Sequence, residues 1–318
     1  MKKVTQRETN PFKYSDSNKR YHTFDYYVKH RFGGKCARIA LDAGFSCPNK
    51  DGTKSRGGCI FCYGGSSGAC GGDTLRSQYE KGVEAMQRKW KLSGFIPYLQ
   101  ANTNTYAPLD VLGKIYNEAA YLPGAVMLVI ATRADCLGDD VVELILKMSE
   151  IIPVMVELGL QSVFDETAKR INRGHTFEEF LAGYNKLKAA GGDISVCVHL
   201  INGLPGESEE MMLQSARTVA SLRPDMVKLH LLHVLYDTPL YELYISGKYE
   251  TMDRDRYIET VCRQLELFHP ETVIARVTGD APEALLAAPD WCRRKTAVTN
   301  DIDKYLVEHG MYQGRLVR

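Results

Sequence analysis

The 318-residue chain lacks several features that would assign it to a specialised class of protein. It has no run of about 18 apolar residues, so a membrane-spanning helix is not expected. The formal net charge is only +1, so charge alone does not make the whole molecule a binder of polyanions. The first ten residues lack the apolar segment of a secretory signal peptide. These absences predict a cytoplasmic globular protein, for which 44% hydrophobic and 25% charged residues are ordinary values.

The nine cysteines also lack the pattern of a disulfide framework, because their number is odd and most lie far apart. In a reducing compartment such cysteines are expected to remain thiols. Three of them share one loop. Cys47, Cys59 and Cys62 follow a C-x11-C-x2-C spacing, with Phe61 directly before the last cysteine.

Three thiolates can hold three corners of a [4Fe–4S] cluster, for which four cysteines are the usual protein ligands. The iron without a cysteine is then open to a small molecule. Gly57 and Gly58 allow the backbone to bend close to such a cluster. Zinc is the alternative, but it needs a fourth ligand to close a tetrahedron, and Cys70 is the obvious candidate. A third interpretation is that the cysteines are unrelated to one another.

Apolar runs alternate with helical patterns through most of the chain, which predicts six βα units. The predicted strands cover residues 37–41, 95–102, 125–131, 154–160, 194–202 and 226–234. Strands that are apolar throughout are typical of a parallel sheet covered by helices. Polar motifs follow each of the first five strands. This favours a partial (β/α)6 TIM-like barrel, with its site at the carboxyl ends of the strands, over an open doubly wound sheet.

The barrel is predicted to span residues 37–240, after an N-terminal arm of residues 1–36 and before a helical C-terminal extension of residues 241–318. The arm is basic and rich in aromatic side chains. Such a segment could follow phosphates and stack on unpaired bases. Alternatively, the arm wraps around the barrel, with its tyrosines packed and its lysines in solvent. The sequence alone slightly favours this second interpretation.

The cysteine loop at the end of a strand, followed by βα units, resembles the radical S-adenosylmethionine (SAM) superfamily. The first gap departs from the commonest C-x3-C-x2-C spacing, but longer gaps occur in subgroups such as the catalytic subunit of elongator. Other segments resemble the bacterial YtqA/YhcC-type group. They cover residues 95–108, 131–137, 157–162, 170–175, 199–207, 277–282 and 291–292, and so extend over nearly the whole chain.

The resemblance implies two cofactors. Cys47, Cys59 and Cys62 would hold a [4Fe–4S] cluster, and SAM would chelate the open iron through its amino and carboxylate groups. One electron from a low-potential donor such as flavodoxin or ferredoxin would then cleave SAM. The resulting 5′-deoxyadenosyl radical would abstract hydrogen from the substrate, while the protein positions both molecules and keeps quenchers away.

The same resemblance assigns contacts with SAM. Phe61, Gly203 and Leu204 would border the adenine, and Gln161 would bond the ribose. Arg173 would pair with the carboxylate of SAM. The SAM amino group would meet the segment Asn102, Thr103 and Asn104, which stands where the family has Gly-Gly-Glu.

Glu157 would also meet the SAM amino group. It lies in an otherwise apolar strand, and a buried carboxylate needs a partner. That partner is either SAM or an internal lysine or arginine. Lys228 and His230 are two residues apart on a strand, and we expect both to face the barrel interior, together with His199.

The substrate is implied by resemblance alone. The elongator-like and YtqA-type relatives indicate modification of the wobble uridine of tRNA, in the synthesis of 5-methylaminomethyl-2-thiouridine. The step would act on the aminomethyl side chain at C5 of uridine, and tRNA would be the partner. Two alternatives stay open: a radical SAM enzyme that acts on a small metabolite or a protein, and a non-catalytic zinc protein.

Overall fold

The computed structural model describes residues 10–63 and 74–317, and Cys70 lies outside the described residues. The strands within these ranges are β1 Cys36–Leu41, β2 Gly94–Leu99, β3 Leu128–Thr132, β4 Val154–Gln161, β5 Ile194–Asn202, β6 Met226–Leu231, β7 Val234–Leu235, β8 Val273–Arg276 and β9 Leu286–Ala288. The helices are α1 Phe24–Phe32, α2 Leu75–Gln87, α3 Leu109–Ala120, α4 Asp139–Ser149, α5 Asp165–Arg170, α6 Phe177–Ala190, α7 Glu209–Ser221, α8 Pro239–Ile245, α9 Arg254–Leu265 and α10 Lys295–Glu308.

Seven strands form one parallel sheet in the order β1-β2-β3-β4-β5-β6-β8, and helices connect most of them. This arrangement is a partial TIM-like barrel, as the alternation of strands and helices predicted. The six predicted strands are present, and β8 adds a seventh from the segment after residue 240. A separate antiparallel pair, β7 and β9, lies outside the main sheet.

Side chains alternate between the two faces of each strand, and the two faces differ in composition. The outer face packs under the helices, with fully buried residues such as Val156, Val198 and Leu229. The lower part of the inner face is also apolar and includes Met155 and Met226. This floor of the barrel packs on α1, so the site must lie above it.

The N-terminal segment packs against the barrel, which agrees with the second interpretation of the arm for residues 10–36. Tyr21 is only 4% exposed, and Tyr14 stacks on His22 with ring centroids 4.9 Å apart. Thr23 caps α1 by accepting a hydrogen bond from the backbone N–H of Tyr26 at 3.1 Å. The Val28 side chain of α1 then seals the floor. These aromatic side chains therefore belong to the fold.

The part of the chain that the structure describes contains no helix that is both long and apolar enough to cross a membrane.

Candidate active site

The cysteine loop leaves β1 and folds over the carboxyl ends of the strands. Its first turn forms because the backbone carbonyl of Cys47 accepts a hydrogen bond from the N–H of Lys50 at 2.8 Å. Gly57 and Gly58 have φ values of 81° and 76°, in the left-handed region that glycine enters without strain. The C-x2-C turn closes with the N–H of Cys62 donating to the carbonyl of Cys59 at 2.9 Å.

The loop connecting α5 and α6 holds the cysteine loop from one side. The side-chain amide of Asn172 donates to the backbone carbonyls of Arg56 at 3.1 Å and Gly58 at 2.7 Å. Its carbonyl oxygen accepts from the hydroxyl of Ser55 at 2.9 Å. Asn49, inside the cysteine loop, donates to the sulfur of Cys59 at 3.8 Å. Neither Asn172 nor Asn49 was predicted from the sequence. The Asn172 contacts join segments more than 100 residues apart, and Asn49 also donates to the carbonyl of Asn172 across that separation.

The three sulfurs of the loop lie farther apart than the ligands of a zinc ion. A tetrahedral zinc site with Zn–S distances of about 2.3 Å would bring its sulfurs to within roughly 3.8 Å of one another. Across the described ranges, the only three Cys, His or acidic ligand atoms within 4.8 Å of one another belong to Glu157, Cys197 and His199. The loop sulfurs are therefore spread more widely than zinc would require.

Positive side chains lie near the buried thiol of the loop. Burial and the neighbouring thiols raise the pKa of Cys59 to about 12, while Arg133 and Arg173 act in the opposite direction. Arg133 forms an ion pair with Asp135 at 2.9 Å and donates to the carbonyl of Arg173 at 2.7 Å. The two guanidinium groups favour the thiolate form, which is the form that ligates iron.

The segment after β2 supports the loop from below. Asn102 accepts from the ammonium of Lys50 at 2.7 Å and donates to the carbonyl of Phe45 at 2.9 Å. Asn104 donates to three backbone carbonyls, and the N–H of Thr103 donates to Ser46 at 3.1 Å. The side-chain amides of Asn102 and Asn104 are therefore used in hydrogen bonds within the protein. The atom left for a ligand is Oδ1 of Asn104, which is buried without a hydrogen-bond partner in the described ranges.

Gln161 and Arg173 lie at the mouth of the barrel. Gln161 has a φ of 62°, and its Oε1 is buried with no hydrogen bond to the described residues. Arg173 is 1% exposed and donates to the carbonyls of His175 at 3.0 Å and Ser162 at 2.6 Å. Burial lowers the pKa of Arg173 to about 10, so its guanidinium is still charged at neutral pH. Most of its donors bind backbone, and one amino group, NH2, makes no hydrogen bond within the described chain.

The three residues predicted to border adenine lie close to the cysteine loop. Phe61 packs against an apolar cluster that contains Leu204 and Leu240. Gly203 has a φ of 85°, and its carbonyl accepts from the hydroxyl of Tyr249 at 2.8 Å. Leu204 is 2% exposed. The structure therefore brings Phe61 and Leu204 together, and their role toward adenine stays a prediction.

Glu157 is buried in the barrel interior, where its partners are internal side chains. Lys228 lies 2.5 Å from Oε1, and Nε2 of His199 lies 3.2 Å from Oε2. Tyr98 donates its hydroxyl proton to Oε2 at 2.5 Å. Burial alone would raise the pKa of Glu157, but Lys228 and His199 hold it well below its usual value. The internal lysine considered in the sequence analysis is thus present.

The same inner layer contains the other side chains that were expected there. His199 stacks on His230 with ring centroids 5.3 Å apart, and Lys228 lies over the ring of Tyr98 at 5.0 Å. Burial lowers the pKa of Lys228 to about 8 despite the opposing effect of Glu157. Arg38 also faces this layer, and the sequence analysis overlooked it. An arginine within the short apolar strand β1 was the available signal.

Comparison with known proteins identifies the family. The model of the radical SAM superfamily matches residues 52–219, and the model of the Radical_SAM C-terminal domain matches residues 224–308. The chain belongs to the radical SAM superfamily. The YtqA protein of Bacillus subtilis is 44% identical over 311 residues, which cover 97% of this chain and 96% of YtqA. The YhcC protein of Escherichia coli is 34% identical and covers 91% and 93% of the two chains.

More distant similarities include a tRNA uridine(34) acetyltransferase and an archaeal Elp3. The tRNA uridine(34) acetyltransferase of Methanocaldococcus jannaschii is 29% identical over 189 residues, which make up 58% of this chain and 34% of that protein. The solved structure of Elp3 from Methanocaldococcus infernus superimposes with a TM-score of 0.66 at 19% identity. It covers 87% of this chain and 64% of that one. This structural likeness supports the partial-barrel fold.

This radical SAM enzyme uses the cofactors of its superfamily, a [4Fe–4S] cluster and SAM. The three cysteines of the loop are the residues that would hold the cluster. When bound, the cluster would supply the electron for the reductive cleavage of SAM. The chain contributes the Asn49 contact to sulfur, the nearby guanidinium groups and the loop held by Asn172. Gln161, Asn104 and Arg173 offer buried polar atoms at the mouth, where SAM is expected.

Proposed function

We propose that this radical SAM enzyme modifies the wobble uridine of tRNA, in the synthesis of 5-methylaminomethyl-2-thiouridine. The observation that carries the proposal is the 29% identity to a tRNA uridine(34) acetyltransferase over 189 residues of the chain. The shared segment covers 34% of that protein. The common part is thus the radical SAM portion, and the proposal transfers the tRNA position rather than the acetyl transfer.

Exposed aromatic side chains near the cysteine loop support a nucleic-acid substrate. Helix α8 adjoins the C-x2-C turn, because the N–H of Leu240 donates to the carbonyl of Ile60 at 2.9 Å. Tyr236 and Tyr244, at the two ends of this segment, are 43% and 37% exposed. Aromatic rings of this kind can stack on unpaired bases. The packed N-terminal arm is a weaker candidate for that contact than α8.

A base in an anticodon loop must leave its stack to reach a site inside a barrel mouth. Enzymes that act on bases take the target nucleotide out of the stack, and the cost is lowest for unpaired nucleotides. A wobble uridine meets this condition because it lies in a single-stranded loop. A low-potential donor such as flavodoxin or ferredoxin completes the proposed reaction.

The test is nucleoside analysis of tRNA from a strain that lacks the gene. We expect the deletion to abolish a modified wobble uridine and to accumulate its precursor. The purified enzyme, with SAM and reductant, should convert the precursor in this tRNA while forming 5′-deoxyadenosine. A Cys62→Ala variant is the matched control and should restore nothing. An unchanged wobble-uridine profile together with no product in vitro would contradict the proposal.

A further inference from the structure

The inner layer of the barrel contains hydrogen-bond donors that lack acceptors. Nε and NH2 of Arg38 are buried and make no hydrogen bond within the described residues. Nε2 of His230 is buried in the same condition. A buried donor without an acceptor costs about 1–3 kcal/mol, and more when the group is charged. Such a cost is expected at a place where a ligand supplies the acceptor.

The charges in this layer do not balance. The Lys228 ammonium is paired with Glu157 at 2.5 Å, and Arg276 forms an ion pair with Asp280. The guanidinium of Arg38 has no carboxylate within ion-pair distance across the described ranges. It stands 3.9 Å from the ring centre of Phe24 and 5.9 Å from that of Tyr98. The rings orient the guanidinium without neutralising it, and one positive charge is left over.

The two histidines of the layer can lie beside a bound anion in their uncharged form. Burial lowers the pKa values of His199 and His230, and the charge of Lys228 lowers both further. Arg38 acts in the same direction on His199. The lowered pKa values favour the neutral form of each ring, which has one N–H. Nε2 of His199 lies 3.2 Å from Glu157, so the N–H left for an anion is that of His230. The side chain of His199 is 19% exposed, so the layer is accessible from the barrel interior.

We propose that Arg38, in the inner layer that also contains His199 and His230, forms a subsite in the barrel interior for an anionic group of the substrate. A carboxylate or a phosphate has the acceptor oxygens and the charge that this layer lacks, and arginine can bind either group bidentately. The assignment of the rest of the substrate rests on the proposed function. In a flipped tRNA nucleotide, the anion is a backbone phosphate or an acidic substituent of the base.

The carboxylate of SAM belongs to a different level of the barrel. Gln161, at the mouth, is four residues beyond Glu157 on β4, which corresponds to about 13 Å along the strand. Arg38 interacts electrostatically with Glu157 and Lys228, at the lower level. On β1, Arg38 pairs with Ile96, and the cysteine loop begins beyond Leu41. SAM at the mouth leaves the Arg38 layer to the substrate.

The experiment measures anion binding to the holoenzyme in the absence of tRNA. The melting temperature of the reconstituted protein is followed with increasing sodium acetate or inorganic phosphate, with chloride holding the ionic strength constant. We expect one or both probes to raise the melting temperature of the wild type relative to chloride. Arg38→Met should weaken the apparent affinity at least tenfold. Arg31→Met, which removes an arginine already paired with Asp193 at 2.6 Å, should respond as the wild type does.

The two probes separate the sources of the anion. A response to acetate alone indicates a carboxylate, and a stronger response to phosphate indicates a nucleotide phosphate. If neither anion stabilises the wild type, or if Arg38→Met responds as the wild type does, the subsite is wrong. Arg38→Lys provides a second test should the methionine variant not fold. It keeps the charge but loses the planar fork, and an unchanged affinity for both anions would overturn the proposal.

Binding of SAM is measured with the same variants. Arg38→Met should bind SAM within threefold of the wild type. A tenfold loss of SAM affinity with normal anion responses would assign Arg38 to the cofactor and reject the subsite. Because the anion titration contains no tRNA, its failure is distinct from a failure of the proposed function. Anion binding without any tRNA product would reject only the tRNA substrate.

Discussion

The two faces of the same parallel sheet are built from different chemistry. Along β6, Leu229 is 0% exposed and packs under the helices, while its neighbour Lys228 points into the barrel at 2% exposure. Both positions exclude water almost completely. The outer side chain is stabilised by contact with other apolar groups, whereas the inner one depends on Glu157 at 2.5 Å. Neighbouring residues with equal burial thus serve different purposes.

The difference shows which face is optimised for stability. A buried ion pair often contributes no more to folding than well-packed apolar side chains would, because both charges lose their hydration. A barrel with an apolar interior would therefore fold as well. The floor of this barrel, which includes Met155 and Met226, is already apolar. The charged layer above that floor is better explained by what the barrel binds. Substitutions at four positions test this division, in which the outer face provides stability and the inner face and the mouth provide function.

The largest effect is expected at the mouth. Cys62→Ala should abolish the cluster and the formation of 5′-deoxyadenosine, because the other two loop cysteines alone cannot hold it. The side chain is exposed, so the unfolding free energy of the apoprotein should change by less than about 0.5 kcal/mol. Iron and sulfide analysis, product detection and urea unfolding measure the three quantities. Cys36→Ala, at a half-buried thiol outside the loop, is the control and should keep its cluster.

A substitution on the inner face should lower the free energy of unfolding most when it removes only one member of the Lys228–Glu157 ion pair. Lys228→Met leaves the Glu157 carboxylate buried without its ammonium, and we expect a loss of about 3–5 kcal/mol of unfolding free energy. The double variant Lys228→Met/Glu157→Gln removes both charges and should recover part of that loss. Urea unfolding of Lys228→Met, Glu157→Gln and the double variant measures the three losses. If the two single losses simply add in the double variant, the pair is not coupled and the account of this layer is incorrect.

A substitution on the outer face should lower the free energy of unfolding without lowering the rate of 5′-deoxyadenosine formation. Leu229→Ala deletes a fully buried side chain next to Lys228, and we expect a loss of about 2–5 kcal/mol. Leu229→Met conserves the volume and should cost less than about 1.5 kcal/mol. The rate of 5′-deoxyadenosine formation per folded, cluster-loaded molecule should match the wild type in both. A tenfold lower rate in the alanine variant would break the division between the faces.

Much of the barrel was predictable because its signals are local. Fully apolar strands and helical periodicity recur along the chain, and β5 has the predicted bounds. The seventh strand, Val273–Arg276, was missed because four residues are too short a run to stand out. Its place depends on pairing with β6 and on the N–H of Ile274 donating to His22 at 2.7 Å. Contacts between such distant segments leave no periodic pattern.

The sequence indicated candidate residues of the site, but few of the contacts between them. The spacing of the three cysteines is visible in the sequence, and the alternation of Lys228 and His230 indicated a common face. Glu157 needed a buried partner, but only the structure shows that Lys228 fills this need. Arg38 could be seen as a charge in an apolar strand. That Arg38 has no hydrogen-bond acceptor among the described residues depends on which side chains the other strands of the sheet place around it.

The smallest effect is expected at the contact between the cysteine loop and the loop that connects α5 and α6. Asn172 has a φ of 53° and makes three side-chain hydrogen bonds to the cysteine loop. Asn172→Gly keeps the left-handed backbone and removes those bonds, so the loop should open more readily. Asn172→Ala removes the same bonds and adds about 1–2 kcal/mol of backbone strain. We expect a chelator to extract iron a few-fold faster from the glycine variant and faster still from the alanine variant.

The glycine variant separates the two contributions of Asn172. If the hydrogen bonds hold the loop, iron is lost faster although the backbone is unstrained. If glycine keeps iron as well as the wild type does and only alanine loses it, backbone shape alone matters, and the proposed clamp is wrong. Thr299→Ala, at a half-buried position on α10, is a control for substitution in general and should leave iron release unchanged. The Lys228–Glu157 ion pair should be unaffected in all these proteins, because the side chain of Asn172 contacts the cysteine loop and not that pair.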